Sequence, residues 1–146
     1  MIFKMNCIFC DIINNRDHEG MIYRDEKVVS FLDIRPLNYG HTLVVPVEHH
    51  KDFREMPADM MGDFFKSVQT IALAVEEATG ADGFNIICNT GSAASQTVFH
   101  LHYHIIPRFH DDNVFKRLDF KKYDDKVKMK FYAEKIKQHL EKREIK

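Results

Sequence analysis

Residues 97–108, TVFHLHYHIIPR, carry the reading of this chain. The segment alternates in the manner of a strand, so His100, His102 and His104 are expected on one face and Leu101, Tyr103 and Ile105 on the other, toward a core. Three imidazoles along one face are costly without a use. Two uses fit: a metal site, since imidazole is a common ligand, or nucleophilic catalysis, in which one ring attacks while its neighbours orient it and handle protons. The residues just upstream favour work on a phosphate. In 89–96, NTGSAASQ, Gly91 and the small side chains after it let backbone approach a ligand closely, and successive N–H groups can cradle anionic oxygens. Gln96 and Thr97 add side-chain donors.

Outward from this stretch the pattern is that of a mixed domain. Residues 7–14 have apolar side chains at helical spacing. Residues 21–23 and 27–32 read as two strands around a turn at Asp25–Glu26, and 33–40 as a loop marked by Pro36, Asn38 and Gly40. Residues 41–47 form a strand whose end Pro46 places at or near a sheet edge. Residues 57–79 are the strongest helix, with Pro57 at its first position, one apolar stripe, and Gly80 as its C-terminal cap. A strand over 83–88 precedes the loop, and a tail helix over 125–140 offers Val127, Phe131, Ile136 and Leu140 as apolar contacts. With so few crossover helices, the expected class is α+β: an antiparallel sheet with helices to one side. Residues 1–110 would form the domain, with 111–146 as a helical extension packed on it.

Composition bounds the function. The chain has 146 residues, 45% of them hydrophobic, enough for one real core. Net charge is -1, so overall charge argues neither for nucleic acid nor against it, and no nucleic-acid partner is expected. It is unevenly spread: residues 1–110 hold 9 Lys+Arg and 14 Asp+Glu, while 111–146 hold 12 and 8. The basic tail reads first as a solvated helix face with mixed signs, and second as a contact for an acidic partner. MIFKMNCIFC lacks the apolar run of a signal peptide, no stretch is long enough for a membrane span, and the odd count of three cysteines does not suggest a disulfide framework. The expectation is a cytoplasmic protein without a membrane partner.

At HLHYHII, preceded by Gln96-Thr97-Val98, the chain resembles the histidine triad (HIT) family. CIFCDII, FLDIRPLNYGHTLVVP and GFNIICNTG resemble the corresponding family stretches in order and spacing. The resemblance implies a purine nucleotide hydrolase or transferase, usually a homodimer. His102 would attack the α-phosphate, forming a nucleotidyl-histidine, with His104 and His41 beside the same phosphate. Gln96 and Thr97 would meet phosphate oxygens or the leaving group, Asn89 would line the phosphate side, and Asp33 would receive the ribose hydroxyls. Phe9, Leu32 and Ile34 would wall the base, although by residue type alone these three read as core. The reading is a nucleoside phosphoramidate hydrolase, with a dinucleoside polyphosphate hydrolase as the runner-up enzyme, and a non-catalytic nucleotide-binding protein is the rival from another class. The family usually has Gly where this chain has Ser95, which is tolerable if φ is negative there or the loop shifts.

Cys7 and Cys10 form a C-x-x-C, compatible on its own with zinc, redox chemistry or two buried small residues. In bacterial-type relatives such a pair joins two histidines around a structural zinc. The matching positions are His49, with His50 as an adjacent alternative, and His100. Cys88 reads as an inert core thiol.

Overall fold

The computed structural model describes residues 6–143; residues 1–5, within the segment MIFKMNCIFC, and 144–146 lie outside the described residues. The chain divides into two compact units, with the boundary between Val114 and Phe115. The first contains α1 (Ile8–Asn14), β1 (Met21–Arg24), β2 (Val28–Leu32), β3 (Thr42–Pro46), a 3-10 turn (Phe53–Glu55), α2 (Ala58–Thr79), β4 (Gly83–Ile87), a second 3-10 turn (Ser92–Ala94) and β5 (Tyr103–Arg108). The strands form one five-stranded sheet in the order β1-β2-β3-β5-β4, antiparallel at every pairing.

The β1–β2 turn is built by Asp25, whose carboxylate Oδ1 accepts from the N–H groups of Lys27 and Val28, both at 2.7 Å. Helix α2 begins one residue later than its sequence suggests. Pro57 is the capping residue itself, in extended conformation, and Gly80 ends the helix at φ 65, as its C-terminal position requires.

Helices cover both faces of the sheet, where helices on one side were expected. Val28 and Val44 pack with Phe64, Val68, Ile71 and Val75 of α2, whereas their neighbours Val29, Leu43 and Val45 pack with Phe9 and Ile13 of α1. Adjacent strand residues point to opposite faces, so α1 and α2 lie on opposite sides. The continuous apolar run in β3 is the signature of a strand buried on both faces. Each fully buried large aliphatic or aromatic side chain contributes roughly 1.5–3 kcal/mol of burial free energy.

Two prolines do less to end strands than their sequence suggests. β3 lies centrally, yet Pro46 is tolerated at its end. Val47 donates to Lys27 on the β2 side, so by alternation Pro46 faces the β5 side, where pairing has already stopped at Val44. Pro107 likewise does not end β5, which continues to Arg108. Asp82 donates to the Arg108 carbonyl on the β4 side, which turns Pro107 toward the side where β3 has ended. Regular β5 also begins later than expected, at Tyr103, so His100 and His102 precede the paired strand.

The second unit holds α3 (Lys126–Leu140), capped by Asp125, whose carboxylate accepts from the Lys128 N–H at 2.7 Å. Val127, Phe131, Ile136 and Leu140, expected as apolar contacts, are all exposed. They do not share one face: Ile136 and Leu140 align with Met129 and Tyr132 at i, i+3, i+7 and i+11, and Val127 and Phe131 fall opposite. Among the described residues no helix is long and apolar enough to cross a membrane.

Gly40 seats the start of β3. Its φ is +94, and a Cβ there would lie 2.5 Å from Thr79 Cγ2 of α2. Gly40→Ala is expected to destabilise the protein by more than about 1 kcal/mol in urea unfolding. Adding Thr79→Ser, which removes the clashing methyl, should recover only the steric part.

Candidate active site and metal site

The register Leu43↔His104 puts His104 on the face shared by Leu43, Val45 and α1, and Leu101, Tyr103 and Ile105 join the opposite core under α2. The alternation that the sequence implies therefore survives even where strand pairing has not begun. His100, His102 and His104 face α1, and Phe9 of α1 packs edge-on against His102, ring centroids 5.0 Å apart.

Backbone partners decide which nitrogen of each ring carries its proton, because a carbonyl only accepts and an N–H only donates. His102 Nδ1 lies 2.6 Å from the His100 carbonyl oxygen. Nδ1 therefore carries the proton, and Nε2 keeps its lone pair. His41 Nδ1 accepts from the Leu37 N–H at 3.1 Å, so its proton is on Nε2, which donates to His104 Nδ1 at 2.9 Å. His104 in turn carries its proton on Nε2, opposite that bond. The result is a nucleophile-type ring, His102, beside a donor-type ring, His104, their centroids 5.0 Å apart.

Burial keeps these rings neutral. It lowers the pKa of His102 and of His41, against the pull of the Asp33 carboxylate in each case. His104 is pushed down to about 4, by burial first and then by His102 and His41. Asp33 Oδ2 stands 3.7 Å from His41 and 3.8 Å from His104, beyond hydrogen-bonding distance, and its Oδ1 accepts from the Arg35 N–H at 2.8 Å. These three residues could also be read as a metal site. The tautomers oppose that: Leu37 occupies His41 Nδ1, so a metal on Nε2 would require an imidazolate.

His100 belongs to a different cluster. Its Nε2 donates to the Pro46 carbonyl at 2.8 Å, in the space that β5 leaves open, which frees the Nδ1 lone pair. Nδ1 lies 3.6 Å from both Cys7 Sγ and Cys10 Sγ and 3.1 Å from His49 Nδ1; His49 Nδ1 is 3.4 Å from Cys10 Sγ. A tetrahedral zinc with ordinary bond lengths needs ligand edges of about 3.3–3.8 Å. The donor set fits that ion in identity and in the tautomer of His100, and its three distances to sulfur fall in that range, with the two imidazoles slightly closer at 3.1 Å. Burial, and next the neighbouring Cys7, push the Cys10 thiol up to about 11, a cost that a bound cation would reverse. His49, not His50, completes the set; His50 is buried elsewhere, near Glu48. Cys88 is half-buried, and burial raises its pKa, which suits an inert thiol.

Other expected residues divide. Phe9 is buried against the histidines, whereas Leu32 and Ile34, on either side of Asp33, are exposed, Ile34 at 95%. Thr97 is exposed on a cleft shared with Asn6, Cys7 and His49, and Asn89 is half-buried beyond β4. Gln96, expected on the phosphate, is buried, and its amide is engaged within the protein. Oε1 accepts from the Gly91 N–H at 2.8 Å, and Nε2 donates to the carbonyls of Lys51 and Val98 at 2.9 and 3.1 Å. It straps the small-residue loop to the turn before α2. The loop is also less of an N–H cradle than its composition suggests. The N–H groups of Gly91, Ala94, Ser95 and Gln96 all bond internally. Ser95 adopts φ 68, left-handed, so the negative φ that would ease a Ser here is not what the loop uses. The groups missed from sequence are the backbone partners of the rings, which leave no sequence signal, and Arg54 beside Gly91, discussed below.

The HIT domain profile matches residues 15–111. The chain belongs to the HIT family. An uncharacterised HIT-like protein of Methanocaldococcus jannaschii is 49% identical over 106 residues, covering 73% of this chain and 81% of that protein. Adenylylsulfatase HINT3 of Arabidopsis thaliana is 39% identical over 103 residues, 70% of this chain and 52% of that one. A zinc-bound histidine triad protein of Mycobacterium smegmatis superimposes with a TM-score of 0.68 at 36% identity, covering 96% of this chain and 99% of that structure.

A left-handed non-glycine costs about 1 kcal/mol, so Ser95→Gly is expected to raise stability by about that much in thermal or urea unfolding. His104 sets a pH dependence. Its folded value near 4 lies below its ordinary 6.5, so the unfolded chain binds the extra proton first. Its contribution to stability is complete above about 6.5 and is lost as pH falls toward 4. The difference in urea midpoint between wild type and His104→Gln should shrink across that window.

Proposed function

We propose that the chain cleaves purine nucleotides at the α-phosphate through a nucleotidyl intermediate on His102. The observation carrying this reading is the 2.6 Å bond from His102 Nδ1 to the His100 carbonyl, which aims a lone pair on Nε2 away from the backbone. In the first step that lone pair forms a bond to phosphorus, and the bond to the leaving group breaks with its electron pair. The attacking ring becomes cationic, and its Nδ1–H bond to the carbonyl strengthens as charge develops. His104 Nε2–H donates to a non-bridging phosphate oxygen. Water then attacks phosphorus and gives up a proton to solvent, the P–N bond breaks with its electron pair returning to His102 Nε2, and the nucleoside monophosphate is released. An amine leaving group takes a proton from solvent as it departs; a phosphate or sulfate departs as an anion. Asp33, flanked by exposed Leu32 and Ile34, has the two acceptor oxygens suited to ribose hydroxyls. Thr97 and Asn89 complete the phosphate side.

Zinc, held by Cys7, Cys10, His49 and His100, would supply a structural cross-link and no catalysis. The neutral, differently protonated rings of the triad oppose the alternative in which all three hold one ion. A homodimer is supported by the edge position of β4, whose outer backbone groups are unpaired in the sheet and whose Ile86 is exposed. Cytoplasmic location and the expectation of no nucleic-acid partner remain part of this reading.

Wild type mixed briefly with adenosine phosphoramidate should gain the mass of one AMP in intact-protein mass spectrometry. His102→Ala should gain none, should lose at least about a thousandfold in turnover, and should keep its zinc by metal analysis. Turnover retained by the variant, or zinc lost with it, would sink the assignment.

A further inference from the structure

The loop over 91–96 receives its charge complement from outside itself. Four of its N–H groups are bonded internally, and Gln96 straps it to Lys51. Next to that strap the turn at Phe53–Glu55 carries Arg54. Its guanidinium grips Asp52, which is 2% exposed, through Nη2 to Oδ2 at 2.6 Å and Nε to Oδ1 at 3.1 Å. That grip fixes the guanidinium without covering it, since the Arg54 side chain is 68% exposed. Arg54 Nη2 lies 3.8 Å from where a Cβ on Gly91 would stand. Lys51, whose carbonyl accepts from Gln96, holds its Nζ 5.7 Å from the ring centroid of exposed Phe99, which follows Thr97 and Val98.

From this placement we propose that Lys51 and Arg54 are specificity-determining residues that receive an anionic leaving group, a polyphosphate chain, as it departs from the α-phosphorus. The proposal rests on the nucleotidyl-histidine reading above and deepens it. A polyphosphate leaves with its electron pair and needs cations, not a proton. An amine needs a proton and gains little from a guanidinium. A fixed, paired Arg loses little side-chain freedom on binding, so its remaining donors are preorganised for phosphate oxygens. The acidic groups beside it, Asp52 and Glu55, are both tied to this turn: Asp52 to Arg54, and Glu55 Oε2 to the Lys51 N–H at 2.7 Å.

The test compares kcat/KM for diadenosine tetraphosphate and adenosine phosphoramidate in wild type, Lys51→Glu and Arg54→Gln, at low and high salt. Lys51→Glu disturbs no buried group, so it stands if Arg54→Gln folds poorly. The expected result is a fall of about tenfold or more in the ratio of the two values, carried mainly by KM for the tetraphosphate and flattened by salt. An unchanged ratio overturns the proposal. So does a wild type that hydrolyses the phosphoramidate but not the tetraphosphate, an outcome that leaves the hydrolase reading standing. If wild type hydrolyses neither, the hydrolase reading fails, and calorimetry with inorganic tripolyphosphate decides this one. Binding to wild type that Lys51→Glu weakens about tenfold supports it; absent or equal binding overturns it.

Discussion

The imidazole of His100 and its own carbonyl hold the centre of this molecule together. The ring donates to Pro46 on one side and turns a lone pair toward Cys7, Cys10 and His49 on the other, while the carbonyl of the same residue fixes the tautomer of His102. One fully buried residue thus joins the end of a central strand, the start of the N-terminal helix and the ring assigned to attack. Moving it would alter the sheet, the metal set and the nucleophile together.

That arrangement depends on how the sheet stops. β3 and β5 pair over only three positions, and a proline lies just past the pairing on each strand. Each proline turns its missing donor toward the side where no partner remains. The carbonyls there are then taken by side chains: Pro46 by His100, and Pro107 by Asn38 Nδ2 at 2.8 Å. Ending the ladder early leaves the Pro46 carbonyl free for His100, on the α1 face that also carries His41, His102 and His104. Burial on that face keeps them uncharged, which a lone-pair nucleophile and a metal ligand both require.

Strain and substitution meet in the loop before the histidines. Ser95 holds a backbone conformation for which glycine is cheaper, and Gln96 makes three internal bonds to keep the loop in place. The loop's shape is therefore maintained by neighbours rather than by its own residue preferences. Much of its own hydrogen-bonding capacity faces inward, and the cations able to face a ligand belong to the adjoining turn.

Much was legible in the chain itself. Period-two alternation placed the three histidines on one face and Leu101, Tyr103 and Ile105 in the core. The 3.6-residue stripe and Gly80 defined α2, and the resemblance to the HIT family matched Cys7 and Cys10 with His100 and with His49 or its neighbour His50. These are local or type-specific signals: a side chain's direction follows its backbone period, and ligand chemistry follows residue type. What the chain could not show is pairwise and long-range. That α1 and α2 lie on opposite faces depended on which strands became central. That Gln96 reaches Lys51, that His49 and not His50 meets the thiols, and that Arg54 stands beside Gly91 depended on chain crossings far apart in sequence. The proton on each imidazole was decided last, by the carbonyls of Pro46 and His100 and the N–H of Leu37, because every residue but proline carries the same backbone groups and only the fold determines where they point.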